Sequence, residues 1–221
     1  MNDAIGQILV FAVAASLSPI PIIGVVLMLA GPRGASTGPA FLVGWVAGLT
    51  LVGAVVLLVS GGADLGSSSS SDGVSWVRVG IGALMLVFAL RQWRGRPRGD
   101  AEPEMPAWMK RTDAFGPLQA VGLGLLLSAV NPKNLLLTAG AAVAIAQAGL
   151  STADQAVALA VFVVVATIGP AAPVVVHAVA RERAEQWLTD LKAWLMRSNA
   201  AVMTVILLLI GVKLIGDGIA G

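Results

Sequence analysis

Two proline motifs interrupt long apolar stretches of the chain, and this interruption constrains the fold more than any other feature. The motifs are Ser-Pro-Ile-Pro at residues 18–21 and Asn-Pro-Lys-Asn at residues 131–134. A stretch of about 20 apolar residues crosses a bilayer, so both motifs fall near the depth of the hydrocarbon core. Backbone left unpaired there is tolerated only inside protein or beside a water-filled cavity. Paired interruptions in the two halves of a chain are typical of a transport site.

The composition predicts an integral membrane protein. The chain is 57% hydrophobic and only 12% charged, with a mean hydropathy of +0.88, which excludes an ordinary water-soluble domain. The absence of cysteine excludes disulfides and thiolate metal sites, and we predict no cofactor. The N-terminus lacks a positively charged leader, which predicts a retained first helix. The sequence contains no paired carboxylates, no Ser/His/Asp set and no metal cluster of the kind that indicates an enzyme.

Six apolar stretches are long enough to span a bilayer. They cover residues 5–30, 39–60, 74–92, 116–147, 155–180 and 199–219. The predicted fold is an all-α polytopic membrane protein with two inverted three-helix repeats, in which helices 1 and 4 are discontinuous. Residues 1–93 form the first repeat, 94–115 a cytoplasmic linker, and 116–221 the second repeat. An interfacial amphipathic helix is predicted near 181–198, where Trp187, Leu191, Trp194 and Leu195 share a helical face.

The basic residues orient these spans. Eleven of the 14 lie in the loops after the first, third and fifth spans, and the positive-inside rule makes those loops cytoplasmic. The opposite side carries the Ser/Gly tract around residues 67–71. We therefore predict a multi-pass protein of the inner (plasma) membrane with both termini outside. We interpret the excess of basic residues as a signal of membrane topology, and we expect no nucleic-acid partner.

An odd number of spans in each half makes the second half enter the membrane from the opposite side, which is the condition for an inverted repeat. Ser18-Pro19 and Asn131-Pro132 each read as the start of a half-helix. Two helix N-termini and a lysine would make the centre positive, so an anionic group is the expected ligand. The candidate substrate-binding residues are Ser18, Pro19, Pro21, Asn131, Pro132, Lys133, Asn134 and Thr138.

Simpler explanations compete with several of these assignments. A proline in a membrane helix is often only a kink, whereas a buried lysine is costly and favours a function for Lys133. Asn134 and Thr138 would line the same cavity or pack helices together. His177 is predicted to be an interfacial side chain rather than a proton relay. The Gly-Pro-Ala-Ala-Pro segment at 169–173 should kink or break the fifth span, as a hinge or a static bend.

Several motifs together resemble one known family. They are Ser-Pro-Ile-Pro at 18–21, Gly-Pro-Arg at 31–33, Phe-Leu-Val-Gly-Trp-Val-Ala-Gly-Leu at 41–49, Pro-Ala-Trp-Met-Lys at 106–110 and Asn-Pro-Lys-Asn-Leu-Leu-Leu at 131–137. The combination is similar to the GAP family, the glycolipid- or peptidoglycolipid-addressing proteins, including sulfolipid-addressing-like ones, of the lysine-exporter (LysE) superfamily. The resemblance implies a six-helix transporter with inverted repeats that moves cell-envelope lipids outward in actinobacteria.

The leading functional hypothesis is therefore export of an anionic envelope (glyco)lipid or its precursor across the inner membrane. An amino acid or similar small carboxylate solute suits the same positive centre and is the alternative. A non-transporting accessory scaffold of a lipid-export machine is the second alternative, in which the motifs are structural kinks. The expected partners are membrane lipid and the anionic lipid or small-molecule substrate, and the sequence leaves open a homodimer or an export-machine partner.

Overall fold

The computed structural model describes residues 2–62, 76–96, 109 and 114–220, without the side chains of 2–5, 61–62 and 181–185. Most of the predicted linker and the whole Ser/Gly tract at 67–71 lie outside the described residues. Within the described part the chain is all-helical. The helices are α1 (Asn2–Ser16), α2 (Pro19–Ala30), α3 (Gly34–Gly62), α4 (Trp76–Arg94), α5 (Pro117–Ala129), α6 (Pro132–Gln147) and α7 (Thr152–Ala220).

Four helical segments of the described chain are long and apolar enough to cross a membrane. They are Gly34–Ser60, Trp76–Arg94, Thr152–Ala180 and Gln186–Ala220. Two further pairs pass the same test together but bend at a short break: α1 meets α2 at 46° and α5 meets α6 at 62°. Counting each bent pair as one span brings the total to six. The predicted breaks at the two proline motifs are confirmed, whereas the six-span arrangement with inverted repeats stays a prediction.

The backbone of α7 is helical from Thr152 to Ala220, so the fifth and sixth predicted spans belong to one helical run. The run cannot be straight. The Gly169 N–H lies 2.9 Å from Ser16 Oγ, and Met203 Sδ lies 2.9 Å from a lysine ammonium that also contacts Ser18. A straight helix would separate Gly169 from Met203 by about 51 Å, whereas these contacts hold them within about 26 Å. The helix therefore bends sharply between them.

The buried core is centred on the two half-helices that follow the breaks. Most residues of α2 are buried, and α6 is buried over most of its length. The flanking helices α3, α4 and α7 surround them and expose many valine and leucine side chains. An apolar outer face around a buried centre is the arrangement that lipid requires. Both breaks fall near the middle of their helix pairs, where Ser18 and Asn134 are fully buried while Leu17 and Val130 remain exposed.

Close helix contacts depend on glycine at several positions. An added Cβ at Gly44 would lie 1.9 Å from the Val121 carbonyl oxygen, and one at Gly48 would lie 2.0 Å from Ser128 Oγ. These distances are shorter than any atom contact allows, so only glycine lets α3 approach α5 so closely. Gly44 and Gly48 therefore form the packing face between α3 and α5.

Residues 169–173 differ from the prediction in one respect. The backbone remains helical through Pro170 and Pro173, so a break of the span there is wrong. Pro170 has no N–H to donate, and the preceding Gly169 N–H donates to Ser16 of α1. This contact joins α7 to α1 directly beside the proline. A hinge at this point stays a prediction.

Candidate functional site at the two helix breaks

The first break places Ser18 between α1 and α2. Its backbone is extended, with φ −68° and ψ 106°, and Pro19 begins α2. Proline is favoured at the first position of a helix because it has no N–H to leave unpaired. Ser18 occupies the N-cap position as predicted, but its side chain makes no capping hydrogen bond. Its hydroxyl instead contacts side chains of α6.

The second break has the same backbone design with a true cap. Asn131 is extended, with φ −61° and ψ 117°, and its side chain accepts a hydrogen bond of 3.2 Å from the Lys133 N–H. The Asn131 N–H donates to the Leu126 carbonyl rather than to that of Leu127. The bend therefore removes the ordinary helical donor of the Leu127 carbonyl.

The side chain of Asn134 supplies the hydrogen-bond donor that the Leu127 carbonyl loses at the second break. Its side-chain amide donates to the Leu127 carbonyl oxygen over 2.8 Å, across the bend between α5 and α6. A buried carbonyl in apolar surroundings is costly without a donor. Asn134 is fully buried, so one side-chain amide stabilises the broken backbone. This contact is structural, and it fixes the position of the other end of the same side chain.

The two breaks meet through side chains. Ser18 Oγ donates to Asn134 Oδ1 over 2.8 Å, joining residues 116 positions apart. The Lys133 ammonium donates to Ser18 Oγ and also contacts Met203 Sδ of α7. Ser18 and Asn134 are both 0% exposed. We call Ser18, Lys133 and Asn134 the junction triad. The two motifs therefore contact each other directly through these side chains.

A cavity of about 180 Å³ lies beside the junction triad. Its wall includes Ile20, Asn131, Pro132 and Lys133 from the two motifs, and Phe88, Gln92, Asn199, Met203 and Leu207 from α4 and α7. The Asn199 Oδ1 atom is buried and has no hydrogen-bond partner among the described residues. The described residues of its wall include no Asp or Glu. Its cationic group is therefore Lys133, so the site favours an anion or a polar group with spare acceptors.

The remaining candidate residues take different places. Pro19 and Pro21 are buried in α2 and do not line the cavity. Thr138 is fully buried and donates to the Asn134 carbonyl oxygen one turn earlier, over 2.8 Å. These three residues shape the helices that carry the triad. The assignment of all eight candidates as substrate-binding residues stays a prediction.

Sequence reasoning missed two polar residues of the cavity wall, Gln92 and Asn199. Each is an uncharged amide next to an apolar run, and this is the signal that points to a polar contact within a bundle. They line the same cavity as Lys133 from α4 and α7, and local sequence patterns do not encode this proximity.

The fold and the site together define a polytopic membrane protein with two broken helices whose breaks meet around a partly buried lysine. Residues 8–220 match the family model described as SfLAP: Sap, sulfolipid-1-addressing protein. The match covers nearly the whole chain, and the chain belongs to this family. The resemblance to lipid-addressing proteins is thereby confirmed, while membership of the LysE superfamily stays a prediction. No curated protein and no solved structure matches the chain significantly.

Proposed function

We propose that this protein exports an anionic envelope (glyco)lipid across the inner membrane, with the lipid head group bound at the junction triad. The family's description links it to sulfolipid addressing, and a sulfate is an anion that a lysine ammonium and helix N-termini recognise. The single observation that carries the proposal is the Lys133 ammonium, held by Ser18 at the meeting point of two broken helices.

The contacts of Lys133 suggest how binding would drive a conformational change. In the structure its ammonium is occupied by a neutral hydroxyl and a thioether. An anionic oxygen is a stronger acceptor than either group, so a head group in the cavity would draw the ammonium away from Ser18. The contact between the two breaks would then weaken at the moment of binding. Such a ligand-dependent contact is what alternating access requires.

The glycine contacts support an inverted repeat, which is part of the proposal. Gly48 of α3 packs on Ser128 before the second break, and Gly169 of α7 packs on Ser16 before the first break. A two-fold rotation that exchanges the two halves of the chain would place the Gly48–Ser128 contact where the Gly169–Ser16 contact lies. Gly82 of α4 and Gly211 of α7 also pack against each other. A Cβ added to either glycine would lie within 3 Å of the other's carbonyl oxygen. A pseudo-two-fold axis between these glycines would produce all three contacts.

One observation favours a second candidate function, the export of an amino acid or similar small carboxylate solute. The cavity beside the triad measures about 180 Å³, and sites for drug-sized ligands usually measure about 300–1,000 Å³. A small solute would fit without enlargement, whereas a lipid would place only its charged group there. Because the charge requirement is common to both, the substrate must be tested directly.

Reconstituted protein tests the proposal. Proteoliposomes should move a fluorescent sulfated glycolipid between leaflets, and Lys133→Ala should reduce the rate at least tenfold, because loss of a charge-assisted hydrogen bond costs about 1.5–3 kcal/mol. Lys213→Gln is the control, since Lys213 pairs with Asp217 in the same helix away from the triad and should retain transport. Transport of a labelled amino acid but not the glycolipid would favour the second candidate. Equal glycolipid rates for Lys133→Ala and wild type would refute the site.

A further inference from the structure

A second and larger cavity lies at the end of the bundle where α2 turns into α3. Its volume is about 900 Å³, within the range of pockets that hold small molecules and cofactors. The turn at Gly31 and Pro32 forms one side, and α7 forms the other at His177, Leu188 and Lys192. The positive-inside rule predicts that this end faces the cytoplasm. It is separate from the cavity beside the junction triad, because the two share no lining residue.

The walls of this cavity have two chemical characters. The deeper wall is apolar and includes Val26, Leu29 and Leu188, all buried. The other wall carries the partly buried side chains of His177 and Lys192. A ligand that fills both parts must be amphiphilic, because a purely polar molecule would leave the apolar wall wet and a hydrocarbon would leave the basic groups without partners.

The polar wall selects for negative charge. Among the described residues that line the cavity there is no carboxylate, and the ion pair found among residues with described side chains is Lys213–Asp217, so Lys192 has no carboxylate partner within that set. The Nδ1 atom of His177 is buried and lacks a hydrogen-bond partner among described residues. The N-terminus of α3 at Gly34 and Ala35 also forms part of the wall, and a helix N-terminus adds partial positive charge.

We infer that this cavity binds an anionic amphiphile, a lipid with a phosphate or sulfate head group, taken from the adjacent leaflet. The head group contacts Lys192 and the Nδ1 atom of His177, and the first part of an acyl chain lies along Val26 and Leu29. This inference rests on the proposed function in one respect, namely that the bound lipid is a transport substrate that later reaches Lys133. Binding itself depends on the cavity alone.

Lipid binding to the full-length protein in detergent tests the inference, with native mass spectrometry as the readout. The probes are phosphatidylglycerol, phosphatidylcholine with the same acyl chains, and inorganic phosphate. Wild type should bind phosphatidylglycerol in preference to phosphatidylcholine. Lys192→Gln should weaken phosphatidylglycerol binding roughly tenfold, the lower end for a hydrogen bond to a charged group because Lys192 is partly exposed. Lys192→Arg should retain most of the affinity.

Two matched pairs separate the cavity from general charge and shape effects. Arg197 is an exposed cation on the same helix that does not line the cavity, so Arg197→Gln should bind like wild type. Ala178 lines the cavity and Ala180 does not, although both are exposed. Ala178→Trp should therefore abolish the preferred lipid binding, whereas Ala180→Trp should leave it unchanged.

Each outcome decides the inference separately from the proposed function. Loss of binding in Lys192→Gln and Ala178→Trp alone supports the cavity, even if no variant affects transport. Competition by inorganic phosphate only at concentrations far above that of the lipid would support an amphiphile held by both walls, whereas phosphate binding as tightly as phosphatidylglycerol would overturn it. Equal binding of both lipids, or equal losses in Lys192→Gln and Arg197→Gln, would also overturn it. Lys133→Ala should leave this binding intact, so a transport defect in that variant with normal lipid binding supports both proposals.

Discussion

Replacement of Asn134 by leucine tests the structural basis of the site. Leucine has the same number and branching of side-chain heavy atoms, so the substitution leaves no cavity, but it removes both hydrogen bonds of the side-chain amide. The Leu127 carbonyl loses its 2.8 Å donor, and Ser18 Oγ loses its 2.8 Å acceptor. Both groups are left in the interior of a membrane bundle, where water cannot replace the lost partner.

The expected loss of stability follows from these two contacts. A buried carbonyl without a donor costs about 1–3 kcal/mol, and a side-chain hydrogen bond between membrane helices contributes about 0.6 kcal/mol on average. Together they predict a destabilisation of about 2–4 kcal/mol. Reversible unfolding of the purified protein in mixed micelles, followed by tryptophan fluorescence, measures the free energy of unfolding.

Thr138→Val is the matched control. Thr138 is equally buried, lies one turn along the same helix, and donates to a carbonyl of its own helix. Because that carbonyl keeps its backbone donor, the substitution should cost less than about 1 kcal/mol. If Asn134→Leu were no less stable than Thr138→Val, the amide would not support the broken backbone, and the reasoning for the second break would be refuted.

Three further predictions concern the lysine, the glycine contacts and the topology. Lys133→Arg should retain partial transport and Lys133→Ala much less, because the guanidinium keeps the charge but is larger and planar; proteoliposome rates compare them, and a fully active alanine variant would contradict a charge requirement. Gly169→Ala places a Cβ 1.8 Å from the Ser16 carbonyl oxygen and should destabilise the protein by about 1–3 kcal/mol. Gly122→Ala, which meets no atom within 4 Å, should be neutral or stabilising by up to about 1 kcal/mol in the same unfolding assay. Cysteines introduced at Ser69 and Ala101 of this cysteine-free chain should react with impermeant reagents from opposite sides, and labelling from one side would overturn the predicted orientation.

The two helix breaks could be predicted from sequence because their causes are local. Ser18 and Asn131 precede prolines that lack an N–H, and this pattern ends one helix and starts another whatever surrounds it. The length of the apolar stretches likewise fixed where the spans would lie. Such signals act over a few residues, so they remain valid before any tertiary contact is known.

The contacts that define the site could not be predicted in the same way. The sequence favours Ser18 as a capping side chain, but its hydroxyl instead bonds Asn134, because tertiary packing offers a buried acceptor that the local backbone does not. Met203 and Asn199 reach Lys133's cavity only because α7 bends back toward the core. The cavity at His177 and Lys192 also depends on that bend. Long-range packing of this kind leaves no periodic signal in the sequence.

The amphipathic segment illustrates the same difference at its surface. The sequence pattern groups Trp187 with Leu195, but Leu195 is buried whereas Trp187 and Trp194 are exposed. Leucines of this segment pack on the protein, and the indole rings face outward, where an interfacial ring would contact head groups. Its position at the membrane surface stays a prediction.

The central claim is that Lys133 binds the anionic group of the transported molecule, and equilibrium binding tests it most directly. A sulfated glycolipid and its unsulfated parent should be titrated into full-length protein carrying Lys192→Gln, which removes the cation of the second cavity. The sulfated ligand should bind at least tenfold more tightly, the discrimination expected from a charge-assisted hydrogen bond. Addition of Lys133→Met should abolish this preference and leave the affinity for the unsulfated parent unchanged. An undiminished preference for sulfate in the Lys133→Met protein would contradict the account.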